Sequence, residues 1–433
     1  MPAVATERII QPARNIQGSL RLPGDKSISH RYALLGGLAE GTTRLTNFST
    51  GADCASSLAC VGALGALVTH SSDGSVEITG AAGHFRPSAS PLDCGNSGST
   101  MRMLSGLLAA QSGAFTLAGD ASLSRRPMER IRKPLAQMGA RVELTDGHAP
   151  ITIHGAPLTA IDYATPIPSA QVKTALLFAG LQASGTTTVG ESVRTRDHGE
   201  LALRAFGATI QRSLDSVSIA GGQPLHAIEG AVPGDISSAA FFLCAAALFP
   251  GSNLIFDALG LNPTRATLLD VLTALGAHIG VLNLEDKHGE LVGVVQVNAP
   301  PQGLTGTTIS GALSAQLIDE LPVLAAIGPY TRNGIRIRDA KELRVKESDR
   351  IALVAANLRA MGAEVEEFDD GLDVPGGQTL HGAEIDSGGD HRIAMAFSVA
   401  ALRATGDTLI RGAESAAISF PEFFDLLDRI TER

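Results

Sequence analysis

Turns rich in Gly, Ser and Asp stand just before apolar, Ala/Leu-rich stretches at six places in the chain. These turns begin at Gly24, Gly95, Ser169, Gly234, Ser314 and Gly388, and the cations near them are Lys26, Arg31, Arg102 and Arg392. The N-terminus of a helix presents unpaired N–H groups and the positive end of the helix dipole, which attract anions. Ser, Asp and Gly are also common N-caps, and for a single turn that explanation is the better one. Because six copies occur together with cations, we favour convergent anion binding.

More basic residues lie in turns that follow predicted strands, among them Arg126 and Arg196. Lys346 and Arg350 are four residues apart, so on a helical start they would share one face, with Glu347 beside them. From spacing alone, a solvated helix face is the better interpretation of this charged run. Arginine binds carboxylate and phosphate bidentately, whereas lysine acts as a point charge or an acid. Cations clustered at turns of an acidic protein therefore indicate small substrates that carry several negative charges.

Proton transfer requires a suitable carboxylate or imidazole, and the chain offers both. Asp319 and Glu320 are flanked by apolar residues, and burial makes a carboxylate harder to ionise and hence a usable base. From this pattern alone, a capping or salt-bridged role for the two carboxylates is somewhat better supported. His30, His198 and His391 could act as acids or bases, or could orient other groups.

Motifs that bind nucleotides or metals are missing from the sequence. There is no Walker A loop, no HExxH and no GxSxG in a nucleophile-elbow context. The four cysteines, Cys54, Cys60, Cys94 and Cys244, show no CxxC spacing, so we expect reduced, buried thiols and a reducing compartment. The sequence therefore predicts neither a metal nor a cofactor.

The composition excludes several classes of protein. The 433 residues include 34 Lys and Arg against 44 Asp and Glu, a net charge of −10, which does not favour general binding to nucleic acid or anionic membranes. Aromatic residues make up 4% and Trp is absent, which argues against base stacking. The longest apolar run, 239–249, is too short to span a bilayer, and residues 1–8 lack a signal-peptide pattern. We therefore expect a soluble, cytoplasmic protein of two or three domains.

Two glycine patterns repeat along the chain. In the first, Gly-Ala follows a bulky apolar residue and precedes a strand-forming residue, at Gly65, Gly139, Gly207, Gly276 and Gly362. In the second, a glycine opens a β-branched strand after an apolar helix, at Gly41, Gly113, Gly185, Gly251, Gly334 and Gly406, with spacings of 72, 72, 66, 83 and 72 residues. Both patterns predict helix ends that need a left-handed residue. We infer an α/β protein of six βαβ-containing units, three per domain, with the helices packed inward.

Over essentially its whole length the chain resembles the 5-enolpyruvylshikimate-3-phosphate synthases, and within that family the divergent bacterial branch. The matching motifs are residues 22–31, 96–98 with Arg102, 126–127, 169–171, 195–198, 319–320, 343–350 and 390–395. The resemblance implies the two-domain enolpyruvyl transferase fold. It places residues 22–233 in a first globular domain and residues 1–21 with 234–433 in a second, and it implies an active site in the cleft between the domains.

The family's reaction transfers the enolpyruvyl group of phosphoenolpyruvate to the 5-hydroxyl of shikimate 3-phosphate. Phosphate leaves through a tetrahedral intermediate, no cofactor is needed, and the product serves the synthesis of chorismate and aromatic amino acids. One alternative is the sister enzyme, UDP-N-acetylglucosamine enolpyruvyl transferase, whose lid cysteine has only Cys94 as a candidate here. A remote alternative is a non-catalytic, anion-binding repeat protein, against which Lys26, Asp319 and Glu347 argue. We expect a monomer whose partners are the two small substrates, without nucleic acid or membrane.

By motif, the resemblance implies a role for each matched residue. The catalytic residues would be Asp319, Lys26 and Glu347: Asp319 accepts the 5-hydroxyl proton, Glu347 takes part in protonating the methylene, and Lys26 transfers protons. Shikimate 3-phosphate would contact Lys26, Ser27, Arg31, Ser169, Ala170, Arg196, Asp319 and Lys346. Phosphoenolpyruvate would contact Lys26, Gly98, Arg126, Gln171, Arg350 and Arg392.

The chain departs from the family pattern at two positions. Many members carry a lysine where this chain has Ile418, so one cation for phosphoenolpyruvate is missing or supplied elsewhere. Ala170 stands where the plant-like branch has a second serine, which removes one possible phosphate contact. Gly98 bears on the inhibitor glyphosate, because inhibitor-tolerant relatives of this branch have alanine at the same place. We expect glyphosate to inhibit this protein.

Overall fold

The computed structural model describes residues 6–433 of the chain. The expectation that a signal peptide is absent rests on residues 1–8, and the first five of these lie outside the described residues. The chain divides into two compact units. The first unit comprises Gly24–Val232 and Asp286–Glu290, and the second comprises the chain up to Pro23, Pro233–Glu285 and Leu291–Arg433.

The strands are short, mostly of three to eight residues, and they occur in both units. Within residues 6–433 they are β1 Glu7–Ile10, β2 Asn15–Arg21, β3 Thr42–Thr46, β4 Leu67–His70, β5 Val76–Thr79, β6 Leu92–Asp93, β7 Ala114–Ala118, β8 Arg141–Thr145, β9 His148–His154, β10 Asp162–Ala164, β11 Thr186–Gly190, β12 Ile210–Arg212, β13 Ser216–Ala220, β14 Glu229–Ala231, β15 Asn253–Gly260, β16 His278–Lys287, β17 Glu290–Asn298, β18 Thr307–Ile309, β19 Ile335–Ile337, β20 Glu366–Phe368, β21 Gly371–Val374, β22 Glu384–Asp386, β23 Thr408–Arg411 and β24 Thr431–Glu432.

The helices alternate with these strands along the chain. In the same residues they are α1 Lys26–Leu38, α2 Ala52–Ala63, α3 Gly98–Leu108, α4 Glu129–Gln137, α5 Ala170–Gly180, α6 His198–Ala205, α7 Ile236–Leu248, α8 Thr267–Ala274, α9 Ala312–Gln316, α10 Leu321–Ile327, α11 Arg350–Ala360, α12 His391–Ala401 and α13 Phe423–Ile430. Short 3₁₀ segments lie at Leu123–Arg125, Gly328–Tyr330, Lys341–Val345 and Ala413–Ile418.

The same sheet is built repeatedly, three times in each unit. In the order β6-β7-β9-β8, the first pair is parallel and the other two pairs are antiparallel. The sheets β10-β11-β13-β12, β14-β3-β5-β4 and β18-β19-β21-β20 follow the same rule. The five-stranded sheet β16-β17-β15-β2-β24 has β24 as an additional strand at one edge. In the three-stranded sheet β1-β23-β22, the pair β22-β23 is parallel, and the single antiparallel strand β1 takes the place of the two antiparallel strands of the other sheets. Six repeated units in an α/β fold are thus confirmed.

Two of the six repeated sheets exchange their first strands. In an ordinary repeat, a helix joins two neighbouring parallel strands of one sheet, as α3 joins β6 to β7. The chain instead leaves β2 for α1 and β3, but β2 pairs with β15 and β3 pairs with β14. The strand β14 in turn leads to α7 and β15. Both exchanges occur where the chain passes from one unit to the other, at residues 23–24 and 232–233.

The repeated glycines adopt the backbone conformation that the sequence predicts. The six strand-opening glycines have φ between 81° and 123°, and the five in the Gly-Ala pattern have φ between 86° and 111°. A side chain at such an angle would be strained, so the pattern marks the chain reversal from helix to strand in each unit.

The central helices are buried on nearly all sides. Every residue of α7 and of α12 is buried, and so are all but the first two residues of α1. Small residues allow close packing: a methyl group at Gly106 of α3 would lie only 2.0 Å from the carbonyl oxygen of Ala175 in α5. The predicted inward packing of the helices is therefore confirmed.

Two predicted helix starts are wrong. Ser314 lies inside the five-residue helix α9. The helical conformation is interrupted between α9 and α10, because Pro322 in the first turn of α10 cannot continue a helix from the preceding turn. Lys346 follows a 3₁₀ segment and is not helical. The helix α11 begins only at Arg350, where Asp349 accepts a hydrogen bond from the backbone N–H of Ala352 at 3.0 Å. Lys346 and Arg350 therefore do not share a helix face.

Candidate active site

The first turn of α1 carries a lysine that faces an acidic neighbour. Asp25 begins the helix by accepting a hydrogen bond from the backbone N–H of Ile28 at 2.9 Å. Lys26 is the next residue, and its Nζ donates to Oδ2 of Asp53 at 3.1 Å. Asp53 lies on α2 and holds the ammonium group at the end of α1. The turn thus caps a helix, as the capping interpretation predicts, and it places the ammonium group of Lys26 at the start of α1.

The N-terminus of α5 brings a serine and a glutamine together with α3. Ser169 caps α5, and its Oγ accepts a hydrogen bond from the backbone N–H of Val172 at 3.4 Å. Ala170 follows as the first residue of the helix. Gln171 accepts a hydrogen bond from Nη1 of Arg102 at 2.8 Å and donates to Oγ of Ser99 at 2.9 Å. The sequence motifs contain Arg102, but its role in orienting Gln171 was not predicted.

Gly98 lies beneath two guanidinium groups. Nη2 of Arg126 donates to Oδ1 of Asn96 at 2.5 Å. A methyl group on Gly98 would lie 3.0 Å from Nη1 of Arg102 and 3.3 Å from Nη1 of Arg126. Both distances are shorter than ordinary van der Waals contacts, so the glycine leaves the space that these two cations occupy.

Arg31 is a buried cation close to a second arginine. Its Nη1 donates to the carbonyl oxygen of Ser27 at 2.8 Å, and its Nη2 donates to Oγ1 of Thr174 at 3.0 Å. Burial lowers the pKa of Arg31 to about 10; the positive charge of Arg196 adds to this shift, and the carboxylate of Glu200 opposes it. The positive charge of Arg196 thus disfavours the charged form of Arg31.

In the second unit, Asp319 is surrounded by cations. Its Oδ1 lies 3.7 Å from Nη1 of Arg350 and 3.9 Å from both Nζ of Lys346 and Nε of Arg392. Nη1 of Arg392 also donates to the carbonyl oxygen of Asp319 at 2.7 Å. The carboxylate lies in the break between α9 and α10 rather than within a helix. This arrangement contradicts the interpretation of residues 346–350 as a solvated helix face.

Carboxylates hold the guanidinium of Arg350 in place. Nε donates to Oδ2 of Asp390 at 2.8 Å, and Nη2 donates to Oε2 of Glu347 at 2.7 Å. Burial works against the charge of this group, but Asp390 and Glu347 outweigh it and raise the pKa of Arg350. Among the described residues, Nη1 of Arg350 has no hydrogen-bond partner. One donor of a rigidly held cation is therefore available beside Asp319.

The predicted histidines are buried. Nδ1 of His30 shares a hydrogen bond with Oγ of Ser57 at 2.8 Å, and burial lowers the pKa of His30 well below its usual value. Nδ1 of His198 lies 2.6 Å from Oε1 of Glu290. His391 is buried at the start of α12. These positions favour the orienting role over direct acid–base chemistry.

Each predicted site residue thus belongs to one of two groups, each within one unit. The first unit holds Lys26, Ser27, Arg31, Gly98, Arg126, Ser169, Ala170, Gln171 and Arg196, and the second holds Asp319, Lys346, Glu347, Arg350 and Arg392.

Comparison with known proteins identifies the family. Residues 10–427 match the model for EPSP synthase (3-phosphoshikimate 1-carboxyvinyltransferase). The chain belongs to the EPSP synthase family. A 3-phosphoshikimate 1-carboxyvinyltransferase from Koribacter versatilis is 66% identical over 98% of this chain and 99% of its own length. The enzyme of the same name from Solibacter usitatus is 53% identical over 98% of this chain and 100% of its own length.

Solved structures agree with this assignment. The EPSP synthase from Acinetobacter baumannii superimposes with a TM-score of 0.86 at 40% identity, covering 98% of each chain. The enolpyruvyl transferase NikO from Streptomyces tendae has a TM-score of 0.77 at 21% identity, covering 98% of this chain and 96% of its own, and shows the shared fold alone. The family consists of transferases of the shikimate pathway, which use phosphoenolpyruvate and shikimate 3-phosphate for aromatic amino acid biosynthesis.

The alternative sister enzyme is not favoured. Cys94 is fully buried, and the neighbouring Cys60 thiol together with burial raises the pKa of Cys94, which is unsuitable for a reactive lid cysteine. Within residues 6–433, no group of His, Cys, Asp and Glu is arranged to hold a metal ion. No helix in that range is long and apolar enough to cross a membrane.

Several residues of these groups were missed by sequence reasoning. Asp53, which holds Lys26, looks like an ordinary acidic residue in the sequence. Asp390, which holds Arg350, lies in the matched motif 390–395, but no role was predicted for it. Lys173 is a fully buried cation on α5 between the carboxylates of Glu191 and Glu200. Lys173 and Glu200 lie in helices rich in Ala and Leu, and Glu191 lies in a loop, so only the fold reveals that the three are close together.

Proposed function

We propose that this chain transfers the enolpyruvyl group of phosphoenolpyruvate to the 5-hydroxyl of shikimate 3-phosphate and releases phosphate. Family membership supports the reaction. The observation that carries the chemistry is the carboxylate of Asp319, which lies within 4 Å of Lys346, Arg350 and Arg392. These cations favour the ionised carboxylate and attract anionic substrate groups. Bound anions neutralise them, so Asp319 becomes a stronger base once the substrates are present.

The proposed steps conserve atoms and charge. A proton is added to C3 of phosphoenolpyruvate, and the 5-hydroxyl oxygen attacks C2 while its proton passes to Asp319. The new C–O bond gives a tetrahedral intermediate. Cleavage of the C–O bond to phosphate and loss of a proton from C3 restore the double bond in the product. Lys26 and Glu347 share the proton transfers at C3, and the hydrogen bond from Nη2 of Arg350 at 2.7 Å orients the Glu347 carboxylate for this role.

The remaining residues bind the two anions. We assign shikimate 3-phosphate to Lys26, Ser27, Arg31, Ser169, Ala170, Arg196, Asp319 and Lys346. We assign phosphoenolpyruvate to Lys26, Gly98, Arg126, Gln171, Arg350 and Arg392. Because each set holds one substrate, we expect a change in either set to weaken the binding of that substrate.

Phosphate release tests the proposal. We expect phosphate to be released from phosphoenolpyruvate with shikimate 3-phosphate and not with UDP-N-acetylglucosamine. Asp319→Asn should lower kcat by roughly 10²–10⁴-fold, whereas Asp425→Asn, at an exposed position of α13, should leave it unchanged. Phosphate release with the nucleotide sugar would contradict the assignment of shikimate 3-phosphate as the substrate. Near-normal turnover in Asp319→Asn would contradict the assignment of Asp319 as the base.

We also propose that the protein works in the cytoplasm as a monomer on small molecules alone. The net charge of −10 supports the absence of nucleic-acid and anionic-membrane partners. Sedimentation at micromolar concentration should give the mass of a single chain, and a dimer would contradict the monomeric state.

A further inference from the structure

A buried lysine lies below the N-terminus of α5. Lys173 has no exposed side-chain surface, and its Nζ is 2.9 Å from Oε2 of Glu191 and 2.9 Å from Oε1 of Glu200. Both carboxylates are themselves almost fully buried. Burying three charges carries a large desolvation penalty, and well-packed apolar residues are often at least as stable. Stability alone is therefore a weak explanation for this cluster.

The cluster is hydrogen-bonded to the loop that carries Arg196, a cation predicted to bind substrate. Oε1 of Glu191 accepts a hydrogen bond from the backbone N–H of Thr195 at 3.1 Å and another from the Thr195 hydroxyl. Arg196 is the next residue in the chain. Glu191 follows directly after β11, so its carboxylate, fixed by Lys173, closes the loop between β11 and α6.

The next residue of α5 holds the other cation of this region. Oγ1 of Thr174 accepts a hydrogen bond from Nη2 of Arg31 at 3.0 Å. The start of α6 packs closely here, because a methyl group on Gly199 would lie 2.5 Å from that same oxygen. Helix α5 therefore fixes Arg31 through Thr174 and the loop of Arg196 through Lys173.

We propose that Lys173 is a positioning residue for shikimate 3-phosphate, which acts through Glu191 and Thr195 to place Arg196. The inference rests on the proposed function, because it assumes that Arg196 binds that substrate. Lys173 is buried and does not touch the substrate. Its effect is confined to the binding of one of the two substrates.

The test compares the KM values of the two substrates. Lys173→Met leaves two buried carboxylates without this cation and so disturbs the core. Thr195→Val removes only one hydroxyl, from a partly exposed loop, and therefore tests the same connection without changing the core. We expect both variants to raise KM for shikimate 3-phosphate about 3- to 10-fold, with KM for phosphoenolpyruvate and kcat unchanged. The control is Thr188→Val on β11, which removes a comparable hydroxyl bond, to Ser218 at 3.0 Å, away from the loop.

A double-mutant cycle with Arg196→Met separates the possible outcomes. If Thr195 acts through Arg196, Thr195→Val adds nothing to KM in the Arg196→Met background. A wild-type KM in Thr195→Val, or full additivity of the two changes, would overturn the inference while leaving the proposed function intact. An unchanged KM for shikimate 3-phosphate in Arg196→Met alone would instead show that the assignment of Arg196 is wrong, and the inference would fail with it.

Discussion

A methyl group on the α-carbon of Gly98 would lie 3.3 Å from Nη1 of Arg126. That distance is tighter than an ordinary van der Waals contact, so the guanidinium would have to move by a few tenths of an ångström. Nη2 of Arg126 donates a hydrogen bond to Oδ1 of Asn96 at 2.5 Å, which limits the movement. The size of residue 98 therefore controls the position of a cation assigned to phosphoenolpyruvate.

Glyphosate is expected to inhibit the protein in competition with phosphoenolpyruvate, and Gly98→Ala is expected to weaken that inhibition. Glyphosate carries a carboxylate and a phosphonate, so Lys26, Arg126, Arg350 and Arg392 should accept it as they accept phosphoenolpyruvate. The displaced guanidinium should raise the inhibition constant at least about 10-fold, which corresponds to roughly 1.4 kcal/mol. An inhibition titration at several phosphoenolpyruvate concentrations measures both effects.

Gly62→Ala is the matched control for this titration. Gly62 lies in helix α2, and no atom would lie within 4 Å of an added methyl group. Its inhibition constant should equal that of the wild type. Wild-type activity that persists at millimolar glyphosate, or a Gly98→Ala variant as sensitive as the wild type, would contradict the argument from Gly98.

Lys26→Met should abolish turnover in a protein that remains folded. The ammonium at the start of α1 is held by Asp53 at 3.1 Å, and losing a proton-transfer group costs roughly 10²–10⁴-fold in rate. The exposed Lys133 on α4 provides the matched Lys→Met control, which should retain full activity. Circular dichroism and a phosphate-release assay decide the matter, and near-normal turnover in Lys26→Met would remove Lys26 from the mechanism.

The rate at low shikimate 3-phosphate should fall at alkaline pH because of Lys346. Burial lowers the pKa of Lys346 below its usual value, although Asp319 opposes the shift. Only the protonated amine attracts phosphate, so kcat/KM for this substrate should fall about tenfold per pH unit above the lowered pKa. In Lys346→Arg the guanidinium stays protonated, so the fall should move to higher pH.

The exposed Lys341 provides the control for this pH profile. Lys341→Arg should leave the alkaline limb where it is in the wild type. The same limb in Lys346→Arg as in the wild type would assign it to another group.

The Arg350–Asp390 pair should dominate the acid stability of the second unit. Burial alone would raise the pKa of Asp390, but the guanidinium of Arg350 lowers it below its usual range. The stability that this carboxylate contributes is therefore complete above its unfolded-state pKa of about 3.9 and is lost as the pH falls through the lower folded-state pKa. Asp390→Asn should cost about 3–5 kcal/mol in the free energy of unfolding at neutral pH and should reduce the further loss at acid pH.

Asp373→Asn tests an exposed ion pair by the same substitution. Asp373 pairs with Arg336, whose side chain is 55% exposed, so the cost should be about 0–1 kcal/mol. Urea unfolding at pH 7 and at pH 3 measures both variants. Equal costs for the two substitutions would contradict the special weight of the buried pair.

Local chain chemistry explains how much of the fold could be predicted. The glycines at helix ends need φ angles that other residues avoid, so residues such as Gly113 and Gly139 report the repeat directly from the sequence. The capping residues Asp25 and Ser97 likewise mark true helix starts, because each accepts a hydrogen bond from the backbone of its own helix.

Long-range pairing explains what could not be predicted. Asp53 is 27 residues from its partner Lys26, and Asp390 is 40 residues from its partner Arg350, so no local pattern links either pair. The position of Lys346 outside a helix depends on the cap at Asp349 rather than on the spacing of charges. The exchange of β2 and β14 is also invisible locally, since each strand is followed by a helix and a strand as in any other unit.

The parallel pairing of β2 with β15 has a consequence for synthesis on the ribosome. Ile255 and Phe256 of β15, which pair with Ser19 and Leu20 of β2, are made more than 200 residues after them. At 5–20 residues per second this delay is on the order of 10–50 s. The segment between these strands can thus fold before β2 gains its parallel partner, and the apolar side chains of β2 lack that partner throughout the delay.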